Sequence, residues 1–291
     1  MVLQLKNIFS LVRTPSYTEL LIDILHKEYD STRPGVHLSD LIKCPLQSYF
    51  KFQYGVKNNE KTLGYFFDGA GIHTILQKLF DKHYPNRFKI EDSRSVDGML
   101  TYTPDIIDTE TNRILEIKTA RSPVITKEPR ADHVEQLKAY MAFSGLSDGV
   151  VIYHLLTKEQ QNLFTQWEIH ITAKEADTIR KEYLKKSNQL REAIDKKTPE
   201  ILDKAADNPD KRWLCNGYCD YVDKCPAGQA ATKQLIEERK ANYKAKEYFI
   251  KLTKDETVEL ENTLSRSLSE RVNPIVMNVW RLLRWKLGKT N

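Results

Sequence analysis

Cysteine is scarce in this sequence, with four in 291 residues: Cys44, Cys215, Cys219 and Cys225. That is too few for a disulfide-stapled secreted scaffold, and the last three crowd into an eleven-residue window, a grouping that points to a metal or cluster. Long apolar runs are missing too. None approaches the roughly 18 residues a membrane span needs, and Lys6 and Arg13 interrupt the apolar residues of the N-terminus, so no signal core is formed and the expected location is cytoplasmic. There is no G-x-x-x-x-G-K-[ST] loop, so any duplex unwinding would have to come from a partner. Internal repeats and low-complexity tracts are absent. Acidic residues stop at Glu270, and Arg271, Arg281, Arg284, Lys286 and Lys289 beyond it equal the whole net charge of +5. The remainder is balanced, so global charge is no argument for a nucleic-acid partner.

What is present is 40% hydrophobic content, enough to bury a substantial core in one large or two small domains. Leu20, Leu21, Ile24 and Leu25 recur at helical spacing over residues 17–30. Ser39 is placed to cap a second helix running through Cys44 toward Phe50. In the segment 69–84, Ile72, Ile75, Leu76 and Leu79 share a helical face, with His73 turned away from its centre. Short extended runs follow between about 95 and 120, the last two separated by the turn Thr109-Glu110-Thr111-Asn112. Then come a helix over DHVEQLKAYMAFSG, an apolar strand GVVIYHLL, a turn at KEQQN, a strand around FTQWEIHI and a long charged helix from about 173 to 197. The order predicts a mixed α/β fold. Residues 205–228, rich in Asp, Asn, Pro, Gly and Cys, need something besides a core to order them. Beyond 228 helical additions are expected, ending in the basic amphipathic run VMNVWRLLRWKLGK with Val276, Val279, Trp280, Leu283 and Leu287 on one face.

The residues that suggest chemistry are Pro104-Asp105 and, after ten intervening residues, Glu116-Ile117-Lys118. Strand alternation points Glu116 and Lys118 to one face. Two carboxylates from adjacent strands can hold Mg²⁺ or Mn²⁺, and a nearby ammonium eases activation of a water. Asp97 and Asp108 flank Asp105 and are read as solvated turn acids rather than alternative ligands.

This string resembles the PD-(D/E)XK nuclease superfamily. Gly69-Ala70-Gly71-Ile72-His73 resembles the helix motif of its RecB-like branch, and Gln136 with Tyr140 resembles that branch's Gln-x-x-x-Tyr motif. The resemblance implies a restriction-endonuclease-like α/β core with helical N- and C-terminal additions. It implies metal ligation by His73, Asp105, Glu116 and Ile117, and catalytic roles for Asp105, Glu116, Lys118, Gln136 and Tyr140. One early and three late cysteines bracketing such a core resemble the iron-sulfur nucleases, the AddB-type nuclease domains and the CRISPR-associated adaptation exonuclease. In that comparison Cys44, Cys215, Cys219 and Cys225 hold a 4Fe-4S cluster joining the chain ends, although four thiolates also suit Zn²⁺. Cys215-x3-Cys219 stands where those nucleases have Cys-x2-Cys, and Leu46 where they commonly carry arginine. The implied organisation is an N-terminal extension over 1–34, a core over 35–228 and a helical extension over 229–291. The implied function is a metal-dependent DNA exonuclease on single-stranded ends, in CRISPR adaptation, recombination, repair or a viral counterpart, with an integrase or helicase as partner. The alternative is a non-catalytic, cluster-stapled DNA-binding or assembly subunit; an RNA-directed or structure-specific endonuclease also remains open.

Overall fold

A computed structural model describes residues 17–29, 35–56, 58, 60–96, 100–120, 127–156, 163–251 and 258. The expected helix at 276–287, Asp97 and the KEQQN turn lie outside them. The chain is mixed α/β and divides into two compact units, one up to Lys204 and one from Ala205 onward.

In the first unit, α1 (Tyr17–Tyr29) is followed by a short strand β1 (Val36–His37), α2 (Leu38–Ile42), α3 (Pro45–Tyr54) and α4 (Glu60–His83). The single helix expected through Cys44 is therefore two. Pro45 pushes the residue before it out of the helical region, and Cys44 sits at φ −147°, ψ 101° as the N-cap of α3. Nor is Ser39 the cap of α2: His37 is, with Asp40 returning a carboxylate oxygen to the His37 N–H at 3.1 Å.

Two small sheets follow. The first pairs β4 (Leu100–Tyr102) with β1 in parallel and with β3 (Arg94–Val96) antiparallel. The second carries the core. Its order is β2 (Phe88–Ile90), β5 (Ile106–Asp108), β6 (Arg113–Ala120), β7 (Asp148–Leu155) and β8 (Phe164–His170), antiparallel except for the central pair β6–β7. That parallel pair is joined by α5 (Ala131–Ser144), and α6 (Ala173–Lys196) packs on α5. A full capping box of Thr172 and Glu175 starts α6, and Gly145 in the left-handed region ends α5.

The expected hairpin is present, with Ile106 opposite Leu115 and Asp108 opposite Arg113. Asn112, at φ 53° in its turn, is a residue type that tolerates this conformation.

The face of α4 is the opposite of what its periodicity suggests. Ile75 and Leu79 are exposed, as is Tyr65, while Leu63 and Gln77 are buried. Leu76, Leu79, Phe80, His83 and Tyr84 line an open cavity of about 450 Å³. The inner face of α4 instead presents Gln77, donating to Glu91 at 3.2 Å, and His73.

How closely α5 approaches the sheet is decided at Gly149 on β7. A Cβ there would lie 2.8 Å from both Leu137 Cδ1 and Met141 Sδ, and both side chains are fully buried. Gly149→Ala forces them aside, and urea unfolding is expected to show a loss of about 1–3 kcal/mol, the usual cost of overpacking a filled core.

Candidate active site

Asp105 lies just before β5, and both its backbone and its side chain are fixed. Its carbonyl accepts the Glu91 N–H at 3.1 Å, and its Oδ2 accepts the Ile117 N–H at 2.7 Å. The second contact ties the aspartate to the backbone between Glu116 and Lys118. These two project from β6 on one face, and Lys118 Nζ donates to Glu116 Oε1 at 2.5 Å. From α4, His73 Nδ1 reaches 3.5 Å from Asp105 Oδ1. One hairpin and the more distant helix α4 thus bring His73, Asp105, Glu116, Lys118 and the Ile117 backbone together.

The electrostatics centre on Glu116, which is 0% exposed. Burial, and then the neighbouring Asp105 carboxylate, push its pKa up to about 7, against the opposing pull of Lys118 and His73. Burial opposes charge on Lys118 as well, but Glu116 and Asp105 outweigh it and hold its pKa above the ordinary value. The lysine is therefore the firmly charged member of the pair. His73 is likewise raised: burial works against its charge, and the hydrogen bond to Asp105 together with the Asp105 charge more than compensates.

The donor set is hard oxygen plus one imidazole, as Mg²⁺ or Mn²⁺ prefers. One atom also calls for a partner. Glu116 Oε2 is buried with no hydrogen-bond partner, an arrangement that is costly in a protein interior. Among the described residues, however, no three His, Cys, Asp or Glu side chains stand together as a finished metal cage; Lys118 occupies one Glu116 oxygen, and His73 is turned to Asp105.

Gln136 and Tyr140 share a face of α5 and bond to each other, the amide donating to the phenol oxygen at 3.0 Å. Tyr140 is buried against the Tyr102 ring. Asp108 is a correction to the sequence reading. It is no solvated turn acid: its carboxylate is 6% exposed and takes a two-pronged bond from Arg87 at 3.0 and 2.8 Å. It also accepts from the Thr111 hydroxyl and from the Glu110 and Thr111 N–H groups, so its work is to close the hairpin that carries the site.

Pattern reading also missed a group beside Lys118. Arg130 at the N-cap of α5 and His133 in its first turn meet the Tyr153 hydroxyl of β7, Asp132 is bonded to Arg130 beside them, and Lys43 stands near enough to feel the Lys118 charge. No motif spacing marks these residues.

Of the cysteines, Cys44 belongs to the first unit and the other three to the second, and none is in a disulfide. Within the second unit, short 3₁₀ turns at Arg212–Cys215 and Val222–Lys224 lead into α7 (Pro226–Lys251). A Cβ at Gly228 would stand 3.4 Å from Cys225 Sγ and 3.9 Å from Cys215 Sγ. The two sulfurs thus border one small space that a glycine keeps open. The Gly228 N–H donates to Cys225 Sγ at 3.2 Å. Among the described residues no third His, Cys, Asp or Glu side chain joins these two sulfurs to complete a metal site.

No family model matches the chain, and no curated protein does. Fifteen solved chains resemble it. The crystal structure of SSO0001 is 20% identical with a TM-score of 0.48, over 72% of this chain and 96% of that one. An alkaline exonuclease from Laribacter hongkongensis is 14% identical with a TM-score of 0.40, over 57% of this chain and 94% of that one. A phage-related exonuclease from Haemophilus somnus 129PT is 13% identical with a TM-score of 0.41, over 60% of this chain and 100% of that one. Each is a partial likeness in architecture.

The Asp108 clasp yields a pH dependence. Its pKa is lowered from 3.8 to about 2, chiefly by Arg87. A depressed carboxylate stabilises the fold above its unfolded value and ceases to do so as pH falls through its folded value. Wild-type stability is therefore expected to drop by about 2 kcal/mol more than that of Asp108→Asn between about pH 5 and pH 1, in urea titrations across that range.

Proposed function

We propose that this chain is a divalent-metal-dependent deoxyribonuclease. The observation that carries the reading is the buried Glu116 carboxylate, with its partnerless Oε2, set beside Asp105 and the Lys118 ammonium. Asp105, Glu116 and His73 would hold Mg²⁺ or Mn²⁺, with the Ile117 backbone as a further ligand. An ion so held supplies Lewis-acid stabilisation of the charge that builds on a phosphate during hydrolysis. The protein's part is positional and electrostatic. The Ile117 N–H fixes the Asp105 carboxylate, and burial keeps water from competing for Glu116. Lys118 offers a charged N–H to the attacking water and to the phosphate oxygens.

The finer assignment is an exonuclease on single-stranded DNA ends, serving CRISPR adaptation, recombination, repair or a viral counterpart. It draws its support from the motif order His73, Asp105, Glu116-x-Lys118, Gln136 and Tyr140. With it goes a 4Fe-4S cluster on Cys44, Cys215, Cys219 and Cys225, supported by the two sulfurs that flank Gly228.

Two measurements test these assignments. Because Glu116 is buried, shape-conserving variants are the informative ones. Asp105→Asn and Glu116→Gln are expected to lose divalent affinity and cleavage together. Lys118→Met keeps that affinity, since the lysine itself occupies Glu116 Oε1, while cleavage of labelled single-stranded or duplex DNA falls by about a hundredfold or more. If Lys118→Met cleaves as fast as wild type, the reading gives way to a non-catalytic DNA-binding subunit. Separately, anaerobically purified protein is expected to be brown, with iron and sulfide near four each per chain by the stoichiometry of such clusters, about 4:4. Stoichiometric zinc without sulfide would instead assign the thiols to Zn²⁺.

A further inference from the structure

Tyr153 is 0% exposed, yet it carries a hydroxyl. Across the parallel ladder it is the register partner of Lys118, so the two side chains stand side by side on the face that also bears Glu116. The hydroxyl's hydrogen bonds run to the first turn of α5, away from the metal-ligand candidates. The Arg130 N–H donates to it at 3.1 Å, and His133 Nδ1 lies 3.0 Å away. A phenol has one proton to give. The acceptor within reach of that proton is His133 Nδ1, and in the tautomer that accepts it the imidazole proton sits on Nε2, 4.0 Å from Asp132 Oδ2. Asp132 is held in turn by the two-pronged bond from its neighbour Arg130, at 3.0 and 2.8 Å. The His133 and Tyr153 rings also pack at a centroid distance of 5.6 Å and a 35° tilt. Burial, reinforced by the Lys118 charge, pushes His133 down to about 3, so the imidazole is neutral and the direction of these bonds stays fixed.

We propose that Tyr153 is a positioning residue for Lys118, latched to the start of α5 through the Arg130 backbone and His133, so that its ring walls the lysine and holds the ammonium on the Glu116 side. The claim rests on the nuclease reading for its catalytic consequence but not for its geometry. None of Tyr153, His133, Asp132 or Arg130 is a ligand candidate, and the latch is made of groups that the hydrolytic reading does not use. Two contacts with β7 set the position of α5, Gly149 permitting close approach at one end of the strand and Tyr153 fixing it near the other.

The test separates latch from chemistry. Tyr153→Phe keeps the ring and removes the latch, and His133→Leu removes the acceptor. His133→Asn restores an acceptor oxygen near the Nδ1 position. Tyr153→Phe and His133→Leu are expected to lower kcat about tenfold or more, the scale of a misplaced catalytic group, with KM and Mn²⁺ affinity within about twofold of wild type and His133→Asn recovering most of the rate. Lys118 itself is followed by amine-reactive labelling and peptide mapping, with Lys51 as internal reference. Its labelling is expected to rise at least about threefold in Tyr153→Phe, because the ring without its latch no longer holds the lysine in place. Unchanged Lys118 labelling in folded Tyr153→Phe overturns the latch whether or not the protein cleaves DNA. Absence of cleavage in wild type, with labelling still raised in the variant, overturns the nuclease reading and leaves the latch standing. A rate loss that follows thermal stability alone, without rescue by His133→Asn, also overturns the proposal.

Discussion

The structure of the first unit turns on a carboxylate in the middle of its larger sheet. Glu116 is wholly buried on the central strand β6, where an unpaired charge would cost several kcal/mol. The fold compensates with groups brought in from around it. Lys118 comes from the same strand at a spacing of two, and His73 from α4 contributes more distant positive charge. Asp105 acts in the other direction, setting a second negative charge nearby while its own oxygen is taken up by the Ile117 N–H. Two carboxylates held close together in a buried setting, one with an oxygen that has no hydrogen-bond partner, favour a cation, and this is the physical basis of the metal-dependent reading.

That balance holds only if the surrounding elements are rigidly placed. The hairpin that carries Asp105 and Glu116 is closed at its turn by Asp108, whose acceptor capacity is filled by Arg87 and by the residues of the turn. On the Asp105 side, the Glu91 N–H binds the aspartate carbonyl while the Glu91 carboxylate accepts from Gln77 of α4. The helix bearing His73 and the loop bearing Asp105 therefore share a common anchor. On the Lys118 side, α5 lies close to the sheet because residue 149 has no side chain, and α6 braces α5 through the Tyr183 hydroxyl, which donates to Glu135 at 2.6 Å.

The cysteines show how local chemistry can be repeated within one chain. Cys44-Pro45 and Cys225-Pro226 each stand at the start of a helix, α3 and α7. Proline is suited to the first helical position and excludes the residue before it from the helix. In both places the thiol is thereby set at a helix N-terminus.

Much of the site could be read from the sequence because it is local. Asp105, Glu116 and Lys118 lie on one hairpin, so a turn signal and strand alternation suffice to bring them together, and the extents of α5, β7, β8 and α6 follow from periodicity and caps. The break at Cys44 is also written in the chain, in Pro45, whose ring excludes the residue before it from the helix. Other features belong to the tertiary structure alone. The apolar stripe of α4 identifies a face but not what covers it, and here the sheet takes the face bearing His73 and Gln77 while Ile75 and Leu79 meet solvent. Asp108 reads as a turn acid until Arg87, 21 residues away, supplies the charge that permits its burial. Tyr153 and His133 carry no motif, since their meeting depends on how α5 crosses from β6 to β7. Spacing along a chain reports which residues share a face of their own element; what that face meets is decided by segments distant in sequence, whose approach only the packed fold determines.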